Sequence, residues 1–142
     1  MKYLNQAFFI EKVKAESLAK KFGTPVYCYS YEKLKKNIHN FKKAFKSIGP
    51  LVCFSVKSNS NVNLLREIKK LGCGADVVSV GELMKALKAG ISPKKIVFSG
   101  VGKTINELNY AISKKILLIN AESKSEINEI EKIAKFKKKI VD

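Results

Sequence analysis

Histidine is almost absent from this sequence of 142 residues, His39 being the only one. The three cysteines, Cys28, Cys53 and Cys73, are odd in number, far apart and unaccompanied by histidine clusters, so no zinc spacing exists. Each lies in or beside an apolar stretch and reads as a small buried hydrophobe in a reducing compartment. Arginine is equally scarce. Of 28 basic residues only Arg66 is an arginine, and with 12 acidic residues the net charge is +16. Such a charge invites a nucleic-acid reading. Planar, bidentate recognition of phosphates and bases favours arginine, however. The lysines are also spread along the chain, in pairs from Lys20-Lys21 to Lys114-Lys115 and then Lys137 to Lys139. A compositional bias toward lysine, isoleucine and asparagine accounts for that spread, and no nucleic-acid partner is expected. No apolar span approaches the ~20 residues that cross a bilayer. Met1 to Glu11 lack a secretory apolar region and a small-residue cleavage site. The expectation is a soluble, cytoplasmic protein with no membrane partner.

What is present is a repeat. Apolar content is 46%, enough for one core and short of two full domains at this length. Apolar runs begin near Leu51, Ala75, Ile96 and Ile116, and a last one begins near Lys139. Helical-period stretches lie between them, at Asn61 to Leu71, Val80 to Ala89, Thr104 to Ser113 and Ser123 to Phe136. Asn61, Ser79, Thr104 and Ser123 stand where helices start, and Glu107 and Glu126 complete capping patterns with Thr104 and Ser123. Gly72 and Gly90 stand where helices end. Sequential strand-helix units give a parallel sheet, doubly wound or closed as a barrel. Each run ends in a polar residue, Lys57, Ser79, Ser99 or Asn120. Polar groups at the carboxyl ends of successive strands favour a (β/α)8 barrel with its site at that end. The fold expected is α/β, about the first half of a TIM-type barrel with parallel strands. Residues 1–30 form an amino-terminal segment with an extended stretch at Gly23 to Ser30, and 31–142 the first part of the barrel domain. Tyr31 to Phe45 reads as an amphipathic helix with Leu34, Ile38, Phe41 and Phe45 on its apolar stripe and His39 on its polar side.

Among the lysines, Lys57 alone caps a short apolar run, Leu51 to Val56, and is followed by Ser58-Asn59-Ser60-Asn61. The run reads as a buried strand bounded by Gly49-Pro50. Alternation places Cys53, Ser55 and Lys57 on one face and Val52, Phe54 and Val56 on the other. A lysine at the mouth of such a strand is expected to be partly desolvated, which favours the neutral amine and carbonyl chemistry. The alternative is a surface lysine after a strand.

Several segments then resemble the amino-terminal part of diaminopimelate decarboxylases, members of the barrel-type pyridoxal-phosphate decarboxylases. They are Phe22 to Tyr29, Phe54-Ser-Val-Lys-Ser-Asn-Ser-Asn61, Leu71 to Ser79 with Gly81-Glu82-Leu83, Lys95 to Gly100 with Gly102-Lys103-Thr104, and Ile119 to Ser123. The lysine segment alone also fits ornithine and arginine decarboxylases. The Gly74-Ala-Asp-Val-Val-Ser79 and Phe98-Ser-Gly segments favour the diaminopimelate branch. The resemblance implies decarboxylation of meso-diaminopimelate to L-lysine and CO2, with pyridoxal 5'-phosphate as cofactor and a small amino acid as substrate. A homodimer is implied for the full-length family member. Lys57 matches the lysine that holds the cofactor as a Schiff base and later assists protonation. Asp76 matches an acidic position near the cofactor, where it pairs with Lys57 or orients its amine; a plain loop aspartate is the alternative. Glu82 matches another acidic position lining the pocket, and the helix dipole explains it equally. Ser99, Gly100 and Asn120 are pocket-wall residues without an assigned role. Lys103, in Gly102-Lys-Thr104, is discounted as a phosphate loop, because Val97 stands where the first glycine of that motif belongs.

The family's glycine-rich phosphate loop, its ring-stacking histidine and its carboxyl-terminal β-domain have no counterpart here. A whole barrel needs ~250 residues. The sequence is therefore expected to be a fragment, a split gene product or a decayed copy. The competing reading is a truncated domain that binds no cofactor tightly, or a basic binding module.

Overall fold

Between Pro50 and Val141, strand and helix alternate in the order that the repeat predicts. In the computed structural model, which describes residues 2–141, four short strands form one parallel sheet. They are β4 (Cys53–Ser55), β5 (Gly74–Val77), β6 (Ile96–Phe98) and β7 (Leu118–Ile119), paired in chain order. The connecting helices are α3 (Val62–Lys70), α4 (Val80–Lys88) and α5 (Ile105–Lys114), and α6 (Lys124–Lys137) follows β7. All four predicted caps are made. The side chains of Asn61, Ser79, Thr104 and Ser123 accept from backbone N–H groups of the first turns. Gly72 and Gly90 close α3 and α4 with φ of 74° and 85°, a conformation open to residues without a Cβ.

Register divides the sheet into two faces. Cys53 pairs with Gly74 and Ser55 with Asp76, while Asp76 pairs with Val97 and Val97 with Leu118. Those side chains share one face. The other carries Val56, Ala75, Val77, Ile96, Phe98 and Ile119, which pack with Leu65, Leu83 and Leu108 of the helices as the core. Each large apolar side chain buried in this way contributes about 1.5–3 kcal/mol. Among the described residues, β4 and β7 are paired on one side only, as in an open half of a barrel.

Two expectations are corrected here. The run at Lys139 to Val141 forms no strand; Lys139 instead donates its N–H to Ala134 O at 3.0 Å and closes α6. The strand before Lys57 is Cys53–Ser55 alone, because Val56–Ser58 turns into a 3-10 helix. Asn59 N–H donates to Val56 O at 3.0 Å and the Ser58 hydroxyl to Ser55 O at 2.7 Å. Serine and asparagine side chains that bond nearby backbone thus end the ladder early.

The chain separates into two units, residues 1–49 and 50–142. The first holds a three-stranded antiparallel sheet of β1 (Lys2–Leu4), β2 (Ala7–Ile10) and β3 (Val13–Lys14). Helices α1 (Ala15–Phe22) and α2 (Tyr31–Ala44) complete it. Neither the sheet nor α1 is among the expected elements, although α1 carries ordinary helix signals, Glu16 in its first turn, Lys20 and Lys21 in its last and Gly23 at its end. The stretch from Gly23 to Ser30 forms no helix and pairs in no sheet, and α2 carries His39 exposed, as its polar side requires.

Candidate active site

The carboxyl ends of the four parallel strands bring the candidate residues of the second unit to one rim. Lys57 lies there, directly after β4, in the 3-10 turn. It is exposed, not partly desolvated as the alternation predicted. A 3-10 turn advances the side chain by about a third of a revolution per residue, where a strand advances it by half. Val56 keeps the core face that alternation gives it and is fully buried, while Lys57 after it is exposed. Among the described residues the Lys57 ammonium has no hydrogen-bond or ion-pair partner. It differs in this from Lys85, which donates to the Ser60 hydroxyl at 2.8 Å.

Asp76 lies in β5, half-buried, and its Oδ1 accepts from the Ser99 hydroxyl at 2.6 Å. Asn120 Nδ2 donates to Ser99 Oγ at 3.0 Å. The carboxylate is also felt by Cys53, whose thiol is pushed up first by burial and then by the negative charge of Asp76. On the same face, in register with Asp76, the Ser55 hydroxyl is buried with no hydrogen-bond partner. Glu82 is spoken for. Its Oε2 accepts from Val78 N–H at 3.0 Å while its own N–H donates to Ser79 Oγ, so it shapes the loop between β5 and α4.

The glutamates at the equivalent place in the next two helices do the same and more. Glu107 accepts from Thr104 N–H and Thr104 Oγ1 at its own helix start, and from Val80 N–H of the preceding unit at 3.0 Å. The Val80 and Thr104 N–H groups, in that order, hold its carboxyl below the ordinary value of 4.5. Its folded-state affinity for protons is thus lower than in the unfolded chain. The stability it supplies is complete above the unfolded value and is lost as pH falls through the folded one. Thermal midpoints of wild type and Glu107→Gln should differ most at neutral pH and converge on acidification below about 4.5. A constant difference across that range would refute the assignment.

Glu126 and Lys103 were invisible as a pair in the sequence. Lys103 Nζ donates to Gly100 O at 2.7 Å, to Asn120 O at 2.8 Å and to Glu126 at 3.2 Å. The Lys103 side chain is only 1% exposed and that of Glu126 8%. Lys103 therefore ties the loop after β6 to the loop after β7, which leaves it no role in cradling phosphate. The only hint was the recurring Ser/Thr-x-x-Glu at each helix start, which marks Glu82, Glu107 and Glu126 alike.

A free amine at a strand end, an unpartnered buried hydroxyl and a fixed carboxylate suit a polar carbonyl cofactor better than a metal. Among the described residues no group of histidine, cysteine, aspartate or glutamate side chains is arranged to hold an ion. No helix of those residues is long and apolar enough to cross a membrane.

Known proteins point the same way. The family model described as pyridoxal-dependent decarboxylase, pyridoxal binding domain, matches residues 31–141. Diaminopimelate decarboxylase of Helicobacter pylori (strain J99 / ATCC 700824) is 48% identical over 119 residues, covering 84% of this chain and 29% of the relative. That of Aquifex aeolicus (strain VF5) is 44% identical over 134 residues, covering 94% of this chain and 31% of the relative. The crystal structure of diaminopimelate decarboxylase from M. jannaschii in co-complex with L-lysine aligns with a TM-score of 0.93 at 39% identity, over 96% of this chain and 33% of that one. The chain spans under a third of the length of these curated relatives and matches their amino-terminal part. The structural neighbours are TIM-barrel decarboxylases, which identifies the four-stranded parallel sheet as part of such a barrel. On the residues of its rim and on this likeness, the chain belongs to the pyridoxal-dependent decarboxylases.

Proposed function

We propose that this chain is the cofactor-anchoring part of a diaminopimelate decarboxylase, which converts meso-diaminopimelate to L-lysine and CO2. One observation carries the reading: the unengaged amine of Lys57 at the carboxyl end of β4, inside the region matched to the pyridoxal-binding domain. Lys57 would hold pyridoxal phosphate through Nζ and move a proton there once released. Asp76 would orient that amine or the cofactor, and Ser55 would give its idle hydroxyl to the bound group. Glu82 serves the pocket indirectly, through the loop it caps. When bound, pyridoxal phosphate supplies the sink for the electron pair left behind by departing CO2.

The family match over 31–141 favours a barrel domain that starts at residue 31, although α2 within it packs in the first compact unit, residues 1–49. A small amino acid is the substrate in this reading, in line with the L-lysine complex of the M. jannaschii relative, and the complete enzyme works as a homodimer. The cytoplasm suits three cysteines that, among the described residues, form no disulfide. Nucleic acid has no part. Several of the basic charges are paired instead with glutamates one helical turn away, at Lys20–Glu16, Lys70–Glu67, Lys132–Glu129 and Lys135–Glu131.

Incubation with pyridoxal phosphate, borohydride reduction and peptide mass mapping test the reading. The pyridoxyl mark should concentrate on Lys57 and vanish from that peptide in Lys57→Arg. Marking spread evenly over the lysines would sink it.

A further inference from the structure

Three side chains from three successive strands form a hydrogen-bonded row across the rim. Asp76 sits within β5, Ser99 directly after β6 and Asn120 directly after β7. Their backbones are pinned as well: Ser99 N–H donates to Val77 O at 2.8 Å and Asn120 N–H to Phe98 O at 2.9 Å, continuing the sheet ladder beyond the strands. The row lies on the face that also carries Ser55, two residues before Lys57.

The row has a direction fixed by chemistry. The Asn120 amide nitrogen can only donate, so Ser99 Oγ is its acceptor. Ser99 has one proton, and with that lone pair occupied the proton is free to go to Asp76 Oδ1. The separation of 2.6 Å falls in the range of hydroxyl-to-carboxylate bonds. Asp76 is thereby the terminal acceptor, and the row holds its carboxylate in one orientation. Among the described residues, Oδ2 receives no hydrogen bond, which leaves it available to a cation or an N–H group.

We propose that Ser99 and Asn120 are positioning residues that fix the Asp76 carboxylate as an acceptor for the group formed at Lys57. This inference rests on the reading of Lys57 given above. It assigns neither residue a contact with the cofactor; both act through Asp76. A row that merely ties strand ends together would affect stability and leave the chemistry of Lys57 unchanged.

The test follows the pyridoxyl mark at Lys57 against pyridoxal phosphate concentration, in chains whose melting is monitored alongside. Losing a hydrogen bond to a charged group shifts an equilibrium about tenfold or more. Ser99→Ala should raise the half-marking concentration by about that factor, and Ser99→Thr, which keeps the hydroxyl, should restore it. In an Asp76→Ala background, Ser99→Ala should add nothing. Asn120→Ala, at an exposed side chain, should act in the same direction and carries the test alone should Ser99→Ala not fold. Wild-type marking in the Ser99 and Asn120 variants would overturn the proposal, as would an undiminished Ser99→Ala effect without Asp76. A wild-type chain unmarked at Lys57 would instead overturn the reading of Lys57.

Discussion

Lys103→Ala should lower the stability of the second unit by about 3–5 kcal/mol, read as a fall in the denaturant midpoint. The loss comes from what stays behind. Glu126 keeps its charge at 8% side-chain exposure with its cation gone. The carbonyls of Gly100 and Asn120 lose a donor in the same step. Phe98, whose ring centroid lies 5.7 Å from Lys103 Nζ, loses a cation over its face as well. The ion pair itself contributes far less than this figure, because burying two charges costs nearly as much as their attraction returns. Lys103→Met combined with Glu126→Gln removes both charges and keeps an acceptor for Glu122 N–H, which now donates to Glu126 at 2.7 Å. That double variant should be more stable than the sum of its single changes predicts. A single-variant loss below about 1 kcal/mol would show the pair to be hydrated and the argument wrong.

Gly74→Ala should cost about 3 kcal/mol or more, at the upper end of overpacking effects. Gly74 is buried in β5 between two strands, and its backbone could accommodate any residue. Space is what forbids a side chain. A Cβ there would penetrate the Lys95 carbonyl oxygen and come within 2.9 Å of Cys53 Sγ. The thiol can rotate away; the carbonyl belongs to the turn leading into β6 and cannot move alone. Pushing it displaces the β5–β6 ladder, and with it the register between Asp76 and Val97. Marking of Lys57 should fall together with stability in this variant. A denaturant midpoint equal to that of wild type would mean that the sheet yields easily at this point.

The second unit was legible because each of its elements carries local signals that agree with the fold. Helices α3 to α6 begin within one residue of where their caps placed them, and the strands fall on the apolar runs. The first sheet was hidden because its turns use uncommon residues. The β1–β2 hairpin closes through Asn5 and Gln6 with φ of 46° and 61°, a turn that normally announces itself by a glycine. Lys57 stood out by position, yet its surroundings were misread, since strand alternation does not continue through a 3-10 turn. Lys103 stood out only as part of a Gly-Lys-Thr motif, and its buried pairing could not be read. It is one lysine among many, and its partner lies 23 residues further on, brought close only by the winding of two strand-helix units.

The glutamates that open α5 and α6 each reach back to the unit made before their own: Glu107 to Val80 N–H, Glu126 to Lys103. On a ribosome, which releases a chain from its amino end, this gives assembly a built-in lag. Val80 N–H at the start of α4 lacks its acceptor until α5 emerges, and the ammonium of Lys103 lacks its counter-charge until α6 does. The β5–α4 and β6–α5 units are thus each locked by the unit that follows, and this part of the rim tightens in the order of translation.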